Sequence, residues 1–129
     1  MPERSRDWLR QARRDLEHAK LSAWGEDFEW ACFSAQQAAE KAVKGLYISL
    51  KGEAWGHSVT QLLSNLPGAI EIPEGLIEKA KEIDKHYIFS RYPNGFDVGI
   101  PADYYTRAEA ERAIEYAETI LAFCENKVR

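Results

Sequence analysis

An all-α fold, an antiparallel up-and-down bundle of four long helices plus a short one, is predicted by three features of this 129-residue sequence. Apolar residues recur at spacings of three and four along separate stretches, the period of a helix with one buried face. Two capping boxes, Ser58–Val59–Thr60–Gln61 and Thr106–Arg107–Ala108–Glu109, open stretches of this kind. Ala69–Ile72, flanked by Pro67–Gly68 and Pro73, is too short and isolated to make a sheet. Short connections between periodic stretches favour antiparallel neighbours. The length suits one domain, residues 1–129, with a single core.

The first helix is expected from about Glu3 to Trp24. Trp8, Ala12, Leu16, Ala19 and Ala23 form its buried face, and Arg6, Arg10 and Arg13 a basic row beside it. Gly25 stops it and Asp27 is placed to cap the next helix. That second helix, from Phe28 to about Lys51, carries two apolar tracks, Ala31/Ala35/Ala38/Ala42/Leu46 and Phe28/Cys32/Ala39/Val43/Leu50. A helix apolar over so much of its circumference must be surrounded, so it is the expected hub. One stripe, Ser34, Gln37, Glu40, Lys41 and Lys44, stays polar.

Ser58 and Gln61 open a short third helix that runs through Leu62, Leu63 and Leu66 and ends at Pro67–Gly68. Pro73 suits the first turn of the fourth, with Leu76, Ala80, Ile83 and Tyr87 buried. It should fray near Phe89–Ser90, because Arg91–Tyr92–Pro93 follows and the residue before proline resists helical geometry. From Arg91 to Tyr105 the chain reads as a long loop, and long loops in small domains tend to be functional. The last helix opens at Thr106, buries Ala110, Ala113, Ala117, Ile120 and Cys124, and ends close to Val128.

A net charge of −4 argues against a generic nucleic-acid-coating protein but leaves room for a local basic patch. Cys32 and Cys124 lie mid-helix among apolar residues with no CxxC pair, which suits buried thiols in a reducing cytoplasm. The charged start lacks a signal-peptide core, and no apolar run approaches the ~18 residues of a membrane span. No metal is expected from three scattered histidines without HExxH or Cys/His spacing, and nothing calls for a cofactor.

His86 and Arg91 bracket the end of the fourth helix. Together they could serve at a phosphate, the imidazole as acid or base and the guanidinium as a bidentate grip. Alternatively, His86 fills the flank of the core and Arg91 ties the loop to a carboxylate. His57, just before the Ser58 cap, suits packing or hydrogen bonding at a helix entrance. The stripe with Gln37, Lys41 and Lys44 suits a solvated face, a phosphate contact or a self-complementary interface. Trp55, Tyr87, Phe89, Tyr92, Tyr104 and Tyr105 gather around the loops, to seal them or to stack bases.

In this order the motifs resemble the HEPN domain family (higher eukaryotes and prokaryotes nucleotide-binding) over nearly the whole chain. The matching positions are Trp8, Ala12 and Asp15–Leu16; Phe33 through Lys44; His57–Ser58; Arg91–Tyr92–Pro93; and Tyr105–Thr106 with Ala108–Glu109. The resemblance implies a helical bundle that forms homodimers. It also implies a small nucleotidyltransferase as partner and, in some pairs, a toxin–antitoxin system. Other members are metal-independent ribonucleases with an Arg-x4–6-His motif. Here no histidine follows Arg91. Arg13 and His18 fit the spacing by count, yet five helical residues are ~500° of rotation, so the side chains point about 140° apart. The expectation is therefore a binding module for a nucleotide or a nucleotidyltransferase. Arg91, Tyr92, Asn94, Lys44, Lys41 and Gln37 are the expected contacts. The alternative is a ribonuclease acting on RNA as a homodimer, with His86 and Arg91 as weak catalytic candidates.

Overall fold

The computed structural model describes residues 3–128. It is the all-α bundle the sequence predicts. Three long helices, α1 (Ser5–Trp24), α2 (Phe28–Ser49) and α7 (Arg107–Lys127), pack against one another, with the shorter α3 (Val59–Ser64) and α4 (Leu76–Asp84) across one side. After Lys85 the axis of α4 carries on into α5 (His86–Phe89), because Lys85 keeps helical angles of φ −61° and ψ −23°. The long loop is not structureless. It holds a 3₁₀ turn, Pro93–Gly95, and a one-turn helix, α6 (Pro101–Tyr104).

The apolar periodicity lands where it should. In α2 every member of the first track is fully buried, as are Cys32, Ala39 and Val43 of the second; Phe28 is half-buried and Leu50 is exposed beyond the helix end. α2 touches every other α-helix, which makes it the hub. Its alanines and Gly45 permit close approach. A Cβ on Gly45 would sit 3.2 Å from the Ser5 carbonyl oxygen and 3.2 Å from Trp8 Cβ of α1. On α1 the buried face is Leu9, Ala12, Leu16, Ala19 and Ala23; Trp8, expected in that face, is only half-buried, and Leu9 beside it takes the core position.

Three expected helix ends differ. Asp27 makes no side-chain cap; its backbone N–H instead closes α1 on the Ser22 carbonyl at 2.8 Å, with Glu26 in the left-handed region at φ 67°. α4 begins at Leu76 rather than at Pro73, because Gly75 at φ 85° turns the chain just before it. Thr106 and Glu109 form the expected reciprocal cap of α7. At α3, Ser58 accepts from the Gln61 N–H at 3.1 Å, but the free backbone donors are met by Asp84 of α4. Its carboxylate accepts from the Val59 N–H at 2.7 Å, the Thr60 N–H at 3.0 Å and the Ser58 hydroxyl at 3.1 Å. This clamp fixes the loop that presents His57.

Cys32 and Cys124 are free and fully buried, and desolvation pushes the Cys32 thiol up to about 12 and Cys124 higher still. Among the described residues, no helix is long and apolar enough to cross a membrane.

Candidate functional site

The polar stripe of α2 is not a solvated face. Ser34 and Glu40 are buried, and the adjoining Gln36 is fully so. A carboxylate taken out of water needs donors, and Glu40 has three. It accepts from Gln36 Nε2 at 3.0 Å, Lys44 Nζ at 3.0 Å and His57 Nδ1 at 3.1 Å. Gln36 Nε2 also reaches the His57 carbonyl at 3.2 Å, and Gln37 Nε2 donates to Gln36 Oε1 at 2.8 Å.

Because a carboxylate only accepts, Nδ1 of His57 is the donor in this contact, and Nε2 is the ring nitrogen left to meet another group. The His57 side chain is 53% exposed, so Nε2 can meet a molecule from solution. Glu40 thus orients an accessible imidazole, the second-group arrangement general bases use.

His57 stacks on Tyr87 of α5, ring centroids 4.3 Å apart and planes at 17°. The same tyrosine carries Arg91. The Arg91 guanidinium carbon lies 4.3 Å from the Phe33 ring centre, 4.6 Å from that of Tyr87 and 5.1 Å from that of Tyr92. Nε and Nη2 both donate to the Tyr87 carbonyl, at 2.8 and 2.5 Å. That holds one edge of the guanidinium fork on the last turn of α5 and leaves Nη1 without a hydrogen bond among the described residues. No carboxylate lies within ion-pair distance of Arg91 there either, so the loop is not tied down in that way. Phe33 is itself met edge-on by Trp30, centroids 6.2 Å apart.

The structure therefore links Gln37, Lys44, Arg91 and Tyr92 through Gln36, Glu40, His57 and Tyr87. Lys41 turns the other way and pairs with Asp15 of α1 at 2.6 Å. Asn94 is exposed in the 3₁₀ turn and makes no side-chain bond among the described residues. His57 both packs and hydrogen-bonds at a helix entrance, as its place before the Ser58 cap suggests. What the sequence does not single out is Glu40 as its buried partner, because the pairing needs the loop before α3 to fold back over α2.

His86 is placed apart from this cluster. It is 7% exposed, its Nδ1 lies 3.0 Å from the Tyr105 hydroxyl, and no hydrogen bond joins it to Arg91. Desolvation lowers its pKa from the ordinary 6.5, against the pull of Glu109 and Glu82; Arg112 and Lys85 lower it further. The folded state therefore prefers the neutral ring. Its contribution to stability is complete above the unfolded value of 6.5 and is lost as pH falls from there through the lower folded value. Urea titrations of the wild type should show stability dropping as pH falls below 6.5, and His86→Gln should flatten that slope. An unchanged slope would assign the pH dependence to another group.

Among the described residues no cluster of three or more His, Cys, Asp or Glu is placed to hold a metal. The site offers an oriented imidazole, an ammonium and a stacked guanidinium with one edge open, a set suited to phosphate.

Comparison with known proteins agrees with this architecture. The HEPN domain model matches residues 5–127. The crystal structure of TT1696 from Thermus thermophilus superposes with a TM-score of 0.95 at 52% identity, over 98% of this chain and 99% of that one. The archaeal HEPN homologue ST0689 superposes at 0.83 with 40% identity, over 99% of this chain and 100% of its own. A protein of Methanocaldococcus jannaschii named "Putative toxin MJ1304" is 28% identical over 124 residues, 88% of this chain and 81% of that protein. With a family model spanning nearly the whole sequence and a homologous bundle of the same length, the chain belongs to the HEPN domain family.

Proposed function

We propose that this HEPN protein is a binding module whose ligand is a nucleotide, gripped by its phosphate at Arg91. The observation that carries this reading is the Arg91 guanidinium, held over three aromatic rings with no carboxylate to neutralise it. Stacking fixes the plane of the fork, and the free Nη1 edge can donate to phosphate oxygens. His57 and Lys44 lie along the same hydrogen-bonded network, and Tyr92 is exposed beside it. As a single-domain cytoplasmic homodimer, the protein would present two such sites to a small nucleotidyltransferase. The relative from Methanocaldococcus jannaschii, named as a toxin, supports a place in a toxin–antitoxin pair.

Calorimetric titration with AMP, ADP and short oligonucleotides tests this. Wild type should bind at least one, and Arg91→Ala should weaken it by tenfold or more, since charge-assisted hydrogen bonds contribute roughly 1.5–3 kcal/mol. Arg91→Lys should recover little, because an ammonium neither stacks nor forks. Equal binding by wild type and Arg91→Ala would end the reading.

A second reading, a metal-independent ribonuclease, is favoured by one observation: Glu40 orients His57 on the ring that also carries Arg91. Nε2 would take the proton of a 2′-hydroxyl as its oxygen attacks the adjacent phosphorus. The bond to the 5′-oxygen breaks and water protonates that oxygen, leaving a cyclic phosphate and a 5′-hydroxyl. RNA cleavage in EDTA that is lost in His57→Ala and kept in His86→Ala would establish it. Intact RNA would remove it.

A further inference from the structure

On the other side of α5 from Arg91 lies a cavity of about 330 Å³. His86 and Tyr87 are successive residues, so their side chains leave the helix about 100° apart and serve different faces. Phe89, Phe96 and Tyr104 line this cavity, and His86 and Tyr105 supply its polar floor. Phe96 and Tyr104 stack almost flat, centroids 4.5 Å apart and planes at 3°, and the Tyr104 hydroxyl donates to the Val98 carbonyl, which fixes that wall. Gly95 lies against Phe89; a Cβ there would fall 2.6 Å from the ring, so only glycine lets the 3₁₀ turn approach this closely. Despite lining a cavity, Phe89 is 50% and Tyr104 44% exposed, so apolar ring surface faces its mouth.

His86 decides what could enter. The residue is 93% buried by its exposure of 7%, and Tyr105 occupies only Nδ1; Nε2 has no partner among the described residues. A hydrocarbon would leave that nitrogen unsatisfied, whereas a ring bearing its own nitrogens would not. The charged residues around the cavity balance: Glu82 and Glu109 against Lys85 and Arg112, with Arg112 already bonded to Glu82. Nothing there selects a charged ligand. We propose that this cavity binds a neutral planar nitrogen heteroaromatic ring of purine size, stacked on the Phe96–Tyr104 wall with its edge hydrogen-bonded to His86 Nε2. Rings of this class satisfy an apolar wall and a lone polar floor together. The site stands independently of the phosphate reading, because it needs neither Arg91 nor a phosphate.

Protein-detected NMR with free adenine as the probe tests this on the full chain. Saturable shifts should centre on His86, Phe96 and Tyr104. Indene, a fused ring without nitrogens, should bind at least tenfold more weakly. Tyr104→Ala, at an exposed position that should fold normally, should weaken adenine at least tenfold, and His86→Phe should do the same. The proposal is overturned if adenine gives no saturable shifts, if they map elsewhere, or if indene binds as well. It is likewise overturned if these resonances respond to protein concentration and not to adenine, for the face would then be a contact between two copies of the chain.

Discussion

Glu40→Ala is expected to lower the unfolding free energy by about 2–4 kcal/mol, a loss read directly from urea denaturation. The carboxylate is 6% exposed and accepts from Gln36, Lys44 and His57. Removing it takes one of two acceptors from the amide of Gln36, which has no access to solvent and keeps only the His57 carbonyl. It also leaves an ammonium at Lys44 that is only 16% exposed. The expected loss lies below the full penalty for breaking a buried pair, roughly 3–5 kcal/mol, because Lys44 can swing toward water. His57, half exposed, adds little to the energy. It loses its orientation instead, so nitrogen-detected NMR should find its ring populating both tautomers. Glu40→Gln keeps an acceptor oxygen and should cost about half as much, while still releasing the imidazole.

Leu46→Ala should cost about 2–5 kcal/mol, the range for a leucine truncated in a core that cannot collapse. Leu46 is fully buried on the helix that every other α-helix touches. Collapse is difficult here because Ala42 and Gly45, beside it on α2, have little side chain to move into the void. Its cost should exceed that of Leu9→Ala, which lies at 8% exposure near the start of α1. Denaturation midpoints of the two variants check this, and a reversed order would contradict the central role of α2.

Local periodicity carried most of the fold because helices answer to residues three and four apart. The tracks of α2 and α7 needed nothing else. What stayed hidden depended on residues distant in sequence. Asp84 occupies the donors of a helix start 24 to 26 residues earlier, and no local rule pairs a carboxylate at one helix end with another helix. Glu40 reads as surface because Glu and Lys interleave on its stripe; in the fold it is buried and bonded to His57 of the returning loop. Arg91 was visible as a residue leading an irregular loop. Its three-ring setting was not, since Phe33 lies 58 positions away in sequence.

The edge-on contact of Trp30 with Phe33 has an optical consequence. Indole emission responds to polarity and to nearby charge, and Phe33 is the ring over which Arg91 lies. Trp24 and Trp55, each 82% exposed, should emit as solvated indoles and, with Trp8 on α1, form the background. Trp30 is therefore a built-in fluorophore one ring removed from the guanidinium. A Trp30→Phe chain supplies the silent control, so occupancy of the Arg91 site can be followed in dilute solution without attaching a dye.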